Sequence, residues 1–95
     1  MKKIDGYYQL EKDLDISEKD INTQELPGLG RLIEALGTTF RCLKYNRLES
    51  VWKWSASGTI QQIAVVEYNE FVISENGKTP EEACARLYIK LKKSI

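Results

Sequence analysis

Thr79-Pro80-Glu81-Glu82, followed by Cys84, Leu87, Tyr88 and Leu91 at i, i+3, i+4 and i+7, constrains this chain more than any other stretch. The threonine offers an N-cap oxygen. Pro80 occupies the first helical position, where its missing N–H is no loss, and Glu82 is the acid of a capping box. Glu81 and Glu82 stand at the positive end of the helix dipole, and Lys90, Lys92 and Lys93 stand at the negative end. The pattern predicts a helix packed by one face, with Ala83 beside the stripe. A short amphipathic helix is stable only against a second layer, so the remaining residues must supply one.

A second helix is predicted from Pro27, suited to a first helical position, to Gly37, suited to the left-handed residue past the helix end. Leu29, Leu32, Ile33 and Leu36 form its apolar stripe, with Arg31 and Glu34 facing away. Strands follow. Thr38 to Tyr45 is rich in β-branched and aromatic residues, and Asn46-Arg47-Leu48-Glu49 reads as a turn. Val51 to Ser57 sets Trp52, Trp54 and Ala56 on one face and Val51, Lys53 and Ser55 on the other. Ser57-Gly58 is expected to turn into a strand from Thr59 to Tyr68, in which Ile60, Ala64 and Val66 alternate against Ile63 and Val65. Asn69-Glu70 is expected to reverse into a short strand from Phe71 to Glu75, ended by Asn76-Gly77. The expected fold is α+β: a three- to four-stranded antiparallel sheet with two amphipathic helices on one face. The other face is left open, or covered by the leader or a partner.

Residues 1–25 are set apart from the domain at 26–95 by charge: seven acids against four lysines, a net of −3. Residues 26–60 carry a net of +3, and residues 61–95 balance. The leader reads as an acidic, loosely structured arm. Tyr7, Tyr8 and Leu10 offer an edge strand, or Leu10 and Leu14 a helical turn over the core, and Ser17-Glu18-Lys19-Asp20 starts one further turn. With 95 residues, 42% hydrophobic and 29% charged, the chain has the composition of one globular domain with a single core, and disorder is excluded. Its longest apolar runs, such as Ile63-Ala64-Val65-Val66, are too short to span a bilayer. Charged and polar residues follow Met1-Lys2-Lys3 where a signal peptide needs apolar ones, so a cytoplasmic location and no membrane partner are expected.

Absent residues remove several chemistries. Without histidine there is no Ser-His-Asp or Cys-His pair and no imidazole ligand. Cys42 and Cys84 stand forty-two positions apart and read as buried hydrophobes, with too few soft ligands for zinc. Pro27-Gly28-Leu29-Gly30 lacks the third glycine of a phosphate cradle. Asp13-Leu14-Asp15 fails as a calcium loop, because Glu18 replaces the turn glycine and Gln24 the closing carboxylate. Glu67 and Glu70 resemble a carboxylate pair but read as an exposed loop. No cofactor or metal is expected.

One constellation suits binding. Phe40, Tyr45, Trp52 and Trp54 interleave with Arg41, Lys44, Arg47 and Lys53. On exposed strands the aromatics would stack on unpaired bases while the cations follow phosphates. On strands of period two the tryptophans instead turn inward together as core, and the cations form a solvated outer face. A net charge of zero and a pI near 6.3 weigh against nucleic acid.

The order Leu26-Pro27, Leu32-Ile33-Glu34-Ala35-Leu36-Gly37, Phe40, Leu43, Trp54-Ser55-Ala56 and Gly77-Lys78-Thr79-Pro80-Glu81-Glu82-Ala83 resembles a family of small uncharacterised proteins encoded by bacteriophages and prophages. The resemblance spans about residues 26–93 and implies a cytoplasmic accessory protein with no catalytic residues to transfer. The strand followed by Gly77-Lys78-Thr79-Pro80-Glu81-Glu82-Ala83 is also similar to HicB-type antitoxin domains, in which strands precede a single helix. The expected function is non-enzymatic: binding of a host or phage protein, or self-association through the open sheet face. Single-strand nucleic-acid binding or an antitoxin-like role is the alternative.

Overall fold

The computed structural model describes residues 10–11, 13–48, 50–63 and 68–94, with backbone alone at 60–63, 68–71 and 94. Tyr7, Tyr8 and Glu67 lie outside the described residues, as does the side chain of Glu70. The elements are α1 (Glu18–Thr23), α2 (Leu29–Leu36), a 3-10 turn (Gly37–Thr39), β1 (Phe40–Tyr45), β2 (Trp54–Ile63), β3 (Tyr68–Gly77) and α3 (Pro80–Ser94). The three strands form one antiparallel sheet in the order β1-β2-β3, so the class is α+β as expected.

Helix α3 forms as its signals require. Thr79 Oγ1 accepts from the Glu82 N–H at 3.0 Å, Pro80 opens the helix, and the Glu82 carboxylate accepts from the N–H of Lys78. Ala83, Cys84, Leu87, Tyr88 and Leu91 are completely buried. This face lies across β2 and β3, while α2 packs chiefly against α3 itself. Leu32, Ala35 and Leu36 carry the buried side of α2. Its N-cap is Gly28, so Pro27 stands one residue before the cap rather than first in the helix. Gly37 ends α2 with φ 59°, the positive value that glycine tolerates.

Two expected turns are strand interior. Ser57-Gly58 runs within β2, and Asn69-Glu70 lies within β3, paired to Gln62 and Gln61. The glycine serves close approach instead of reversal. A Cβ at Gly58 would stand 3.0 Å from both Leu91 Cδ1 and the Thr39 carbonyl oxygen. The strand expected from Val51 begins only at Trp54. β1 carries an irregularity: Phe40 pairs with Gly58 and Cys42 with Ser57, so Arg41 is an extra residue. The bulge places Phe40 and Leu43, three positions apart, on the core side together.

The leader segment that is described is folded rather than loose. Leu10 and Ile21 belong to the core, and Leu14, Ile16 and Leu26 pack against it. The Glu11 N–H donates to the Ala35 carbonyl, and the Glu11 carboxylate pairs with Arg31. Tyr88 directs its hydroxyl at the Glu11 and Leu14 carbonyls, holding the segment to α3.

Gly77 marks the closest approach of sheet and helix. A Cβ there would stand 2.4 Å from Ala83 N and 2.9 Å from Ala83 Cα, both backbone atoms that cannot swing aside. Gly77→Ala is therefore expected to lower the free energy of urea unfolding by about 1–3 kcal/mol, the usual range for overpacking. A midpoint unchanged from wild type would contradict this packing.

Candidate surface at the β1–β2 connection

The eight binding candidates do not share one face. Trp54 pairs with Tyr45 across the β1–β2 ladder, and their ring centroids are 5.0 Å apart. Trp54, Phe40 and Leu43 pack toward the core, on the same side as α3. Alternation therefore turns Cys42 and Lys44 to the opposite side, with Ser55, Ser57, Ser74 and Asn76. That side is rich in hydroxyls, and Ser57 and Ser74 hydrogen-bond across it at 2.9 Å. Arg41, in the bulge, donates to the buried Thr59 hydroxyl at 3.3 Å. Trp54 thus turns inward as the period-two reading expects, and Phe40, Tyr45 and Trp54 do not lie on the open face.

Trp52 lies outside the ladder. Residues 46–53 connect β1 to β2, closed by a hydrogen bond from Asn46 N–H to the Lys53 carbonyl at 2.6 Å. Lys53 N–H donates to Val51 O at 3.1 Å, tightening the descent into β2. The connection holds Trp52 against α3 and the residue preceding its cap. Arg86 Cζ stands 5.4 Å and Lys78 Nζ 5.9 Å from the indole centroid. Such cation–π contacts contribute roughly 0.5–1 kcal/mol each at exposed sites. Arg86 is itself tethered by Glu82 at 3.5 Å.

Around Trp52 the described surface is unusually apolar. Among the described residues the exposed large hydrophobics are Tyr45 at 51%, Leu48 at 101%, Val51 at 49% and Trp52 at 40%, together with Val72 on β3. Isolated apolar side chains on a surface need no explanation, but four within eight successive positions concentrate exposed apolar groups at one connection. Arg47 and Lys53 belong to the same connection and form no ion pair among the described residues, which leave out Glu49. The turn expected at Leu48 fits its exposure, whereas the expected strand from Val51 would have set Val51 and Trp52 on opposite faces and both are exposed. The hydrophobic character of an otherwise polar turn was the available signal.

Elsewhere the side chains are structural. Glu82 is almost fully buried and accepts from Gln24 Nε2 at 3.1 Å as well as from Lys78 N–H, tying α1 to the start of α3. Neither residue was singled out for this link by its sequence context. No group of three histidine, cysteine, aspartate or glutamate side chains gathers at a metal-binding distance among the described residues. An open groove at the far end of α3 is lined by Ile16, Ser17, Glu18, Ile89, Lys92 and Lys93 and brings no reactive group to a base. No helix among the described residues is long and apolar enough to cross a membrane. No protein-family model, curated protein or solved structure matches the chain.

The cysteines have opposite environments. Cys42 is exposed, correcting its reading as a buried hydrophobe, whereas Cys84 is buried. Burial, with a smaller contribution from Glu81, pushes the Cys84 thiol up to about 11. Its folded pKa exceeds the unfolded value of 9.0, so its contribution to stability is present below pH 9 and is lost as pH rises toward about 11. Tyr88, raised chiefly by burial, acts in the same sense. Urea unfolding across this range should show falling stability, with a shallower fall in Cys84→Ala; equal slopes would contradict the burial account.

The tryptophans give an optical check. With Trp54→Phe, the remaining emission from Trp52 should be readily quenched by acrylamide, whereas Trp52→Phe should leave a more protected signal. Equal quenching constants would contradict the difference in setting between loop and strand.

Proposed function

We propose that this chain is a non-enzymatic interaction domain that binds another protein through the exposed side chains of Tyr45, Leu48, Val51 and Trp52. The supporting observation is the exposed cluster Tyr45, Leu48, Val51 and Trp52 on a connection closed by its own backbone hydrogen bond. Covering exposed apolar side chains is favourable in proportion to the area removed from water. Large aromatic and aliphatic anchors carry most of the energy of protein interfaces. The resemblance to phage-encoded proteins fits an accessory role in a bacterial cytoplasm, exercised by contact with a host or phage protein.

Two features favour protein over single-stranded nucleic acid. The indole of Trp52 already has two cations over it, and Leu48 and Val51 have no π-face on which a base could stack.

Affinity capture from bacterial lysate with wild type, Leu48→Asp and Val72→Asp tests this reading. Proteins retained by wild type and Val72→Asp should be lost with Leu48→Asp, because Val72 lies on β3 away from the connection. Identical capture by all three would overturn the assignment of the surface. So would turnover of a substrate by the purified chain.

A further inference from the structure

The two edges of the sheet differ in kind. On one, β1 is six residues long, is broken by the Arg41 bulge, and carries the cations Arg41 and Lys44. Bulges, short strands and cations are devices that keep an edge from pairing with a further strand. On the other, β3 runs for ten residues, and its register with β2 continues unbroken from Tyr68 to Gly77. It has no proline, and Phe71-Val72-Ile73-Ser74 carries no charge. Among the described residues no strand pairs with its outer side, so alternate N–H and C=O groups of β3 point away from the sheet. Val72, 58% exposed, sits midway along this edge. By alternation it faces away from α3, on the side of Ser74 and Asn76.

We infer that the β3 edge pairs antiparallel with the β3 edge of a second copy, joining two three-stranded sheets into one of six strands. This surface is separate from the β1–β2 connection. The sequence of β3 favours its own copy as occupant because it complements itself in one register. An antiparallel pair of identical strands has a twofold axis normal to the sheet, so one residue stands opposite its own copy. With Val72 at the axis, Phe71 falls opposite Ile73, Glu70 opposite Ser74 and Asn69 opposite Glu75. Apolar positions then meet apolar ones, and no carboxylate position meets another. Moving the axis to Phe71 sets Val72 against Glu70, and moving it to Ile73 sets Phe71 against Glu75. Glu75 is already paired with Lys90 of α3 at 3.0 Å, which limits repulsion between the two strands. The arrangement closes at two copies, and the outer edges of the joined sheet are then both the blunted β1.

Sedimentation of the full chain, with a cross-link at the axis, tests this. Wild type should pass from monomer to dimer, and to nothing larger, at concentrations up to about 1 mM. Val72→Asp sets two carboxylates directly opposite each other and should raise the dissociation constant by about tenfold or more. Its circular dichroism should match wild type, because Val72 is exposed. Leu48→Asp should dimerise as wild type, so this proposal and the reading of the connection fail separately. In a Cys42→Ser background, where the remaining Cys84 is buried, Val72→Cys should be joined into covalent dimers by a short thiol-specific linker. Leu48→Cys in the same background should not. A wild type that stays monomeric would overturn the proposal. So would a dimer that survives Val72→Asp or is abolished by Leu48→Asp, assemblies growing beyond two copies, or equal cross-linking at both positions.

Discussion

Helix α3 meets the sheet where the side chains are smallest. Ala56 and Gly58 on β2, Gly77 at the end of β3 and Ala83 on the helix leave little between the two layers. The approach allows Leu87 and Leu91 to reach over Gly58, and Thr39 to contribute its carbonyl beside them. Because α2, α1 and two strands all contact α3, a displacement of its first turns would move several neighbours at once. Close packing makes such a displacement a step rather than a gradual yielding.

The same helix anchors the leader. Glu82 leaves water almost completely, and a buried carboxylate is tolerated only when its oxygens are hydrogen-bonded. Gln24, Lys78 and Arg86 meet that need from three directions. Gln24 takes a positive φ of 59°, unusual outside glycine, so that its backbone caps α1 while its side chain reaches Glu82. Two turns further along α3, the Tyr88 hydroxyl donates toward the carbonyls of Glu11 and Leu14.

These contacts explain which parts of the fold were legible. Local signals were sufficient for α3 and nearly so for α2, because caps and apolar spacing act within a few residues. The leader misled because its acids are conspicuous, while Leu10, Leu14, Ile16 and Ile21 follow no single period; they serve separate points on a surface built by α2 and α3. Gly58 misled for the opposite reason. Glycine signals a turn locally, and its use as a space for Leu91 depends on a residue thirty-three positions later. At the surface, Trp54 followed its strand parity inward, but Trp52 did not share its face, because β2 begins only at Trp54. The partnership of Trp52 with Lys78 and Arg86 is set by where α3 docks, which no local pattern specifies.

That partnership bears on how the exposed connection can bind. A flexible loop of eight residues would lose much conformational freedom on meeting a partner, and that loss would consume the gain from covering Leu48 and Val51. Here Asn46 and Lys53 already close the connection, Lys53 folds back on Val51, and two cations from beyond β3 hold the indole. Arg86 is in turn held by Glu82, whose other contacts fix the start of α3 and the end of α1. The buried carboxylate thus lies one residue behind the exposed tryptophan, linking the rigidity of the core to the surface. On the proposed reading, a connection tied at Asn46, Val51 and Lys53 would meet a partner with less entropy left to lose, so a small apolar area could suffice where a mobile loop of the same composition would not.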